Sequence, residues 1–158
     1  MRYDFNADEV FEMAEQLERN GNKFYRQAAE SIDDKSHQEL LIKLADMEVD
    51  HEKTFKAMRK ELAEQEKAGT VFDPQGEAAL YLKALADTRV FFEKKIDLST
   101  MENILKAAIE AEKDSIVFYL GMRNAVPEKL GQSRLDDIIQ EEMQHIRILS
   151  KELVQLRK

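Results

Sequence analysis

Apolar residues recur every three or four positions in four stretches of the chain, which is the spacing of amphipathic helices. The first predicted helix covers about residues 6–30 and the second about residues 36–69. The third begins near residue 99, and the last follows Pro127. The first three begin at sequences with capping-box spacing, in which Asn or Ser is followed three residues later by Glu. The pattern therefore predicts an all-α protein with four long helices.

The segment Thr70–Leu98 separates the second helix from the third. Connections between packed neighbouring helices usually have about 2–8 residues, so we expect this longer segment to cross over along the length of a bundle. Asp73 and Pro74 can begin a short helix that reaches about Phe91, because Pro is tolerated at the first helical position. We predict one domain over residues 1–158, a four-helix bundle whose long crossover between helices 2 and 3 contains a short helix.

Acidic and histidine residues interrupt the apolar face of every long helix. Burial of an unpaired carboxylate is costly, and several carboxylates close together repel one another unless cations lie between them. Six residues occupy such positions within the apolar stripes: Glu18, Glu48, His51, Glu112, Glu142 and His145.

These residues form an internal repeat with a single offset. Glu18 recurs as Glu112, and the Glu-x-x-His that begins at Glu48 recurs at Glu142, in both cases 94 residues later. The repeat extends to neighbouring positions, where the same residue types recur at the same offset: Ala14, Phe24 and Tyr25 as Ala108, Phe118 and Tyr119. The chain therefore contains one half-site twice, which predicts a bundle with pseudo-twofold symmetry.

A Glu and a His three residues apart lie on the same face of a helix, about 5–6 Å apart at Cβ. One such pair means little on a highly charged helix, but two pairs and two lone glutamates at one offset predict a site for two transition-metal ions. Glu141 could replace Glu142, since it also lies within one turn of His145, but Glu142 is preferred because it matches Glu48. His37 matches no other residue and is predicted to be a solvated surface histidine.

Composition narrows the chemistry of the site. The chain has no Cys, which excludes thiolate ligands, disulfides and redox thiols. Carboxylates with two imidazoles suit Fe or Mn better than Cu, and Zn remains possible in the same site. Any redox chemistry must therefore come from a bound group.

Charge and hydropathy exclude two classes of partner. The net charge of −8, without a long basic run, argues against nucleic-acid binding. No apolar stretch approaches the roughly 20 residues of a membrane span, and the residues from Met1 to Asp4 open no secretory signal pattern. We therefore expect a cytoplasmic protein that binds no membrane.

Tyr25 and Tyr119 lie seven residues after the lone glutamates, two turns along the same helix face. Two interpretations are equally compatible with this spacing. The tyrosines are core aromatics, or each hydroxyl donates a hydrogen bond to a metal-bridging carboxylate of another helix and orients it.

These motifs resemble the rubrerythrin-like branch of the ferritin-like di-iron carboxylate superfamily. Four segments contain the resemblance: Leu17–Tyr25, Leu44–His51, Ala108–Tyr119 and Glu141–His145. The resemblance implies that Glu48 and Glu142 bridge two iron ions, whereas the other four candidates are terminal ligands. It also implies a centre that reduces hydrogen peroxide or reacts with dioxygen, with electrons from an external donor protein.

Two features depart from that family pattern. Peroxide-reducing rubrerythrins have a further Glu one turn beyond the lone Glu of the third helix, where this chain has Ser115, and typical members add a Cys-rich iron site. Two other functions therefore stay open: iron handling, as a ferroxidase or metal carrier, and a bundle in which metal only holds the fold. By analogy with that family, we expect a homodimer rather than a large shell.

Overall fold

The computed structural model describes residues 7–66, 81, 84, 96–126 and 131–158. Four long α-helices account for most of them: α1, Ala7–Glu30; α2, Lys35–Glu66; α3, Met101–Ala125; and α4, Gln132–Leu156. Helix α1 packs along α2, and α3 packs along α4. Within the described ranges there is no β-strand, and no helix is long and apolar enough to cross a membrane. The predicted all-α architecture of four long helices is confirmed.

Part of the predicted connection lies outside the described residues. Tyr81 and Ala84 have helical backbone conformation, and the Tyr81 hydroxyl donates a hydrogen bond to a backbone carbonyl of α3 at 3.2 Å. The remainder of the short helix predicted between residues 74 and 91 is not among the described residues, so that helix stays a prediction. The predicted cap Asn6 and the predicted break at Pro127 also lie outside them.

Two helices begin near, but not at, the predicted capping residues. The side chain of Asp34 accepts a hydrogen bond from the backbone N–H of His37 at 3.0 Å, and α2 begins at Lys35 rather than after Ser36. A carboxylate is favoured here because its negative charge also interacts with the positive end of the helix dipole. At α3 the cap is Thr100, one residue later than predicted.

Two apolar cores fill the bundle, and both contain residues from all four helices. The first, here the aromatic core, has the larger side chains: Phe11, Phe55, Met58, Phe118, Tyr119, Met122 and their neighbours. The second, here the alanine-rich core, has smaller ones: Ala28, Ala29, Leu41, Leu44, Ala45, Ala108 and their neighbours. Each large apolar side chain contributes about 1.5–3 kcal/mol when fully buried, so the two cores can stabilise a costly polar layer.

That polar layer lies between the two cores. In α1 the aromatic core ends at Leu17 and the alanine-rich core begins at Tyr25, with Glu18 between them. The candidate residues of the other helices occupy the corresponding gap. The bundle therefore places a plane of acids and imidazoles at mid-length, closed by apolar side chains above and below.

Candidate metal centre

All six predicted ligands lie in this buried layer, and none is more than 4% exposed. Their ligand atoms form two overlapping clusters, each with all atoms within 4.8 Å of one another: Glu18, Glu48, His51 and Glu142; and Glu48, Glu112, Glu142 and His145. The predicted convergence of side chains from four helices is therefore present in the structure. Glu48 and Glu142 belong to both clusters, whereas each of the other four belongs to one.

The two shared carboxylates lie close to the imidazoles. Glu142 Oε1 is 3.1 Å from His51 Nδ1, and its Oε2 is 3.2 Å from His145 Nδ1. Glu48 Oε1 is also 3.2 Å from His145 Nδ1. The two imidazole rings stack with centroids 5.8 Å apart. One carboxylate thus touches both imidazoles with different oxygens, although its role as a metal bridge stays a prediction.

Each cluster is completed by one lone glutamate from α1 or α3. Glu18 Oε2 is 3.5 Å from His51 Nδ1, and Glu112 Oε1 is 3.3 Å from His145 Nδ1. The imidazoles therefore present the same nitrogen, Nδ1, to the acids. We call Glu18 with His51 the His51 half and Glu112 with His145 the His145 half.

Three carboxylate oxygens that face this layer lie within 3.5 Å of an imidazole Nδ1 but form no well-directed hydrogen bond. Glu18 Oε2, Glu48 Oε1 and Glu142 Oε2 are buried and have no hydrogen-bond partner among the described residues. Buried polar atoms are normally satisfied, and an unpaired carboxylate oxygen is costly. Bound cations would satisfy all three, and this donor set of oxygens and two imidazole nitrogens suits Fe or Mn. The residues present therefore fit a pair of such ions.

Proton sharing lets the acids coexist without metal. Burial, and then the charges of the neighbouring glutamates, hold the pKa of Glu48 and of Glu142 well above the usual range. Burial also acts to raise the pKa of Glu18 and of Glu112, but interactions with the neighbouring shared glutamate, with a histidine and with a tyrosine hydroxyl outweigh it and lower the pKa. The shared acids therefore hold their protons more strongly than the lone acids do.

His51 supplies positive charge to the same layer. Burial acts to lower its pKa, but hydrogen bonds and attraction to Glu18 and Glu141 outweigh burial and raise the pKa to about 9. Metal ligands must be deprotonated before they coordinate. Metal binding at this layer must therefore release protons from His51 and from the shared acids.

The two buried tyrosines bond to the lone glutamates. The Tyr25 hydroxyl donates to Glu112 Oε1 at 2.6 Å, and the Tyr119 hydroxyl donates to Glu18 Oε1 at 2.5 Å. Burial, and then nearby carboxylate charge, raises the pKa of both hydroxyls, so they remain donors. This supports the second interpretation of these residues, since they orient carboxylates.

The acceptors, however, are not the ones that were predicted. Neither hydroxyl bonds to Glu48 or Glu142, the acids expected to bridge. Tyr25 of α1 instead reaches Glu112 of α3, and Tyr119 of α3 reaches Glu18 of α1. The exchange between α1 and α3 is therefore reciprocal.

Glu141 is not a member of either cluster. Its side chain is 48% exposed, whereas that of Glu142 is fully buried, so the preference for Glu142 as the residue in the layer agrees with the structure. Glu141 instead hydrogen-bonds His51 Nε2, on the side of the ring away from the acids. This contact joins α2 to α4, and the spacing of residues along a single helix does not predict it.

Two further polar residues lie outside the clusters. His37 has a side chain 22% exposed and lies 3.7 Å from Asp34 and 3.8 Å from Glu152, at the surface end of the bundle. Glu15 is only 2% exposed, one turn before Glu18, and accepts a hydrogen bond from Arg59 Nη1 at 2.7 Å. Sequence analysis missed this buried acid, whose ion pair with Arg59 satisfies Oε2, whereas Oε1 has no hydrogen-bond partner among the described residues.

Two cavities lead toward the layer from opposite sides. One, of about 340 Å³, reaches Glu48 and Glu112 and is also lined by Gly21, Tyr25 and Ser115. The other, of about 400 Å³, lies between α2 and α4 and reaches His51 and Glu141; its lining includes Met47, Asp50, Thr54 and Asp137. Each half of the centre is therefore close to a cavity of its own.

Comparisons with known proteins agree with the fold and with the candidate metal site. The family model described as Rubrerythrin matches residues 9–153. Among solved structures, the chain is similar to a crystal structure described as a ferritin-like diiron-carboxylate protein from Thermotoga maritima. The two chains are 25% identical with a TM-score of 0.67, and the match covers 92% of this chain and 93% of that one. No curated protein matches the chain significantly.

Proposed function

The chain belongs to the rubrerythrin family, and from that premise we propose that it is a non-haem di-iron oxidoreductase that reduces hydrogen peroxide or reacts with dioxygen. The observation that supports this most strongly is the pair of overlapping clusters, in which two carboxylates are common to two Glu and His sets. A structural zinc site would be closed and single, with four ligands. A shared pair of acids instead suits two ions held close together.

The roles of the side chains follow from their places in the clusters. Glu48 and Glu142 would bridge the ions, Glu18 and His51 would bind one of them, and Glu112 and His145 the other. When bound, two Fe(II) ions would supply the two electrons that cleavage of an O–O bond requires. The two tyrosine hydroxyls hold the lone carboxylates in place, and this fixes their orientation as charge in the layer changes.

The cavity between α1 and α3 supports access by a small oxidant. It reaches the layer at Glu48 and Glu112, and the absence of a side chain at Gly21 leaves room beside Glu48, since a Cβ there would lie 3.0 Å from Glu48 Oε2. Ser115 lines the same cavity, at the position where peroxide-reducing relatives have a further Glu. A serine cannot act as an anionic ligand there, so on the side of this cavity the centre has one acid fewer than in those relatives.

Turnover requires an external reductant. Reduction of peroxide to two molecules of water consumes two electrons and two protons, and the chain has no Cys to supply a thiol or a Cys-bound iron site. We therefore propose an electron-donor protein as a partner, and a homodimer as the assembly.

The direct test is the oxidation of bound iron. The metal-free protein is loaded anaerobically with two Fe(II) per chain and mixed with one equivalent of hydrogen peroxide or with dioxygen in a stopped-flow spectrometer. We expect ferric absorption to develop faster than for free Fe(II) at the same concentration. A Glu142→Gln variant is the inactive control, and Glu15→Gln, a buried acid outside the clusters, is the matched active control. Oxidation no faster than that of free Fe(II) would remove the proposal.

Iron handling is a second candidate, favoured by Ser115 and by the lack of cysteine. A ferroxidase or carrier needs no repeated reduction of the centre, so neither departure is an obstacle to it. This function predicts uptake of more than two irons per chain, or transfer of iron to a competing chelator, together with no peroxide turnover in the presence of a reductant. Iron counting and steady-state peroxide consumption distinguish the two functions.

A further inference from the structure

The two imidazoles of the metal centre differ in what holds their outer nitrogens. His51 Nε2 hydrogen-bonds the carboxylate of Glu141 from α4. His145 Nε2 is buried and has no hydrogen-bond partner among the described residues. The ligand nitrogens, by contrast, have similar surroundings, since both Nδ1 atoms lie within 3.5 Å of two or more buried carboxylates.

The internal repeat explains why only one imidazole has such a partner. Glu141 immediately precedes Glu142, and the residue 94 positions earlier, which precedes Glu48, is Met47. A methionine thioether is at best a weak hydrogen-bond acceptor. The carboxylate is therefore present in one half of the repeat only, although the three candidate ligands of each half match those of the other.

We propose that Glu141 is a positioning residue that holds His51 through its outer nitrogen and makes the His51 half the tighter of two unequal metal positions. This rests on the proposed function only in requiring that the layer binds metal. A carboxylate that accepts the Nε2–H bond fixes the tautomer whose Nδ1 lone pair faces the acids, and it increases the basicity of that nitrogen. His145 has neither advantage, so the two ions bind in sequence, with the His51 half filled first.

The position of Glu141 makes the idea testable without disturbing the fold. Its side chain is about half exposed and borders the cavity between α2 and α4, so replacing it removes no core packing. Asp137 borders the same cavity on the same helix but makes no contact with His51 in the structure. Asp137→Asn therefore controls for the loss of one negative charge near the centre.

The experiment is an anaerobic titration of the metal-free protein with Co²⁺, followed by calorimetry and by the visible absorption of the bound ion. The unmodified protein should bind two Co²⁺ in steps that differ by more than the statistical factor for identical sites. Glu141→Gln should weaken the tighter step about 10–100-fold, leave the weaker step unchanged, and alter the absorption of the first ion. Asp137→Asn should change neither step more than about twofold, as expected for a screened surface charge.

Two further variants assign the steps to halves of the centre. Glu112→Gln alters a carboxylate of the His145 half alone, so it should affect the weaker step; Glu18→Gln should affect the tighter one. Met47→Glu supplies the missing carboxylate beside His145 and should bring the two steps closer together. Circular dichroism establishes that each variant is folded.

Every outcome decides the question. Equal steps in the unmodified protein, or a Glu141→Gln variant that weakens neither step or both alike, would overturn the unequal-site proposal while leaving the oxidoreductase proposal intact. Two ions bound as expected, with no acceleration of Fe(II) oxidation, would instead contradict the oxidoreductase proposal alone. A protein that binds no Co²⁺, Fe²⁺ or Mn²⁺ at all would contradict both.

Discussion

The His51 half and the His145 half of the centre each contain one glutamate and one histidine. They differ in the residues that contact these side chains from outside the layer. Glu141 hydrogen-bonds the outer nitrogen of His51, and the residue that matches Glu141 in the other half of the repeat is Met47. Gly21 of α1 lies beside Glu48 of α2, whereas α3 has Ser115 at the position that matches Gly21. The repeat of the candidate ligands therefore does not extend to the side chains around them.

The largest expected effect comes from removing a carboxylate that both halves share. Glu142→Gln should abolish tight binding of both ions, whereas Glu18→Gln should weaken one. An ion present at a thousandfold excess over its dissociation constant stabilises the native state by about 4.1 kcal/mol, so Glu142→Gln should lose most of the metal-dependent rise in melting temperature. Calorimetry with and without Mn²⁺ measures this difference.

The metal-free form of the same variant provides the control for folding. Burial and the neighbouring carboxylates raise the pKa of Glu142 and favour its neutral form, so the neutral amide of Gln should leave the metal-free protein folded. Glu15→Gln should instead destabilise the metal-free form, because it breaks the ion pair with Arg59. It should leave metal binding intact, because Glu15 belongs to neither cluster. If Glu15→Gln removed metal binding and Glu142→Gln did not, the assignment of the layer would be wrong.

The second effect is a dependence of stability on pH that metal should suppress. The pKa of His51 is raised to about 9 in the folded protein. Its contribution to the free energy of unfolding is therefore complete below its unfolded pKa of about 6.5 and is lost as pH rises through about 9. Glu48 and Glu142 also have raised pKa values, so their ionisation at higher pH has the same sign. The metal-free protein should therefore be less stable at pH 9.5 than at pH 6.5.

The size of this change and its control are specific to the layer. A shift of the His51 pKa from 6.5 to about 9 corresponds to about 3 kcal/mol, and denaturant unfolding at the two pH values measures it. His51→Gln should flatten the dependence in the metal-free protein, and bound metal should flatten it in the unmodified protein, because coordinated groups no longer bind protons in this range. A metal-free protein equally stable at both pH values would contradict the protonated state inferred for His51.

The third effect tests the reciprocal tyrosines one at a time. Tyr119→Phe removes the donor to Glu18 and should weaken the ion of the His51 half, whereas Tyr25→Phe should weaken the ion of the His145 half. Loss of one buried donor costs about 1–3 kcal/mol, and the Co²⁺ absorption of the affected half should shift. Tyr81→Phe, at an exposed tyrosine whose hydroxyl reaches a backbone carbonyl of α3, should change neither spectrum. Unchanged spectra in both buried variants would reduce these tyrosines to core aromatics.

The sequence predicted the fold and the six residues of the layer because both follow from local rules. Helical spacing determines which residues share a face, and an acid on an apolar face at a repeated offset is visible without coordinates. Contacts between helices were harder to predict from the sequence. Tyr25 donates to Glu112 rather than to Glu48 or Glu142, and Glu141 reaches His51 on another helix. Glu15 could not be anticipated either, because its partner Arg59 is on α2 and follows no repeat.

The smallest effect concerns Gly21 and Ser115, which occupy matching positions of the repeat. A Cβ at Gly21 would lie 3.0 Å from Glu48 Oε2 and 3.3 Å from Glu48 Cδ, so Gly21→Ala should push the Glu48 carboxylate by a few tenths of an ångström. Ala also favours the helix by about 1 kcal/mol relative to Gly. The metal-free variant should therefore be as stable as the unmodified protein or slightly more so, while its metal affinity falls a few-fold.

Ser115→Ala is the matched control for this substitution. The Ser115 hydroxyl bonds to the backbone carbonyl of Ala111 in its own helix, so its loss should leave both metal-binding steps unchanged. Calorimetric titration of the two variants with Mn²⁺ compares them directly. Equal affinities would mean that Glu48 can yield to an added methyl group, and the closeness of Gly21 to this acid would then have no bearing on metal binding. A loss confined to Gly21→Ala would show that the two cavity-lining positions, equivalent in the repeat, act differently on a carboxylate common to both halves.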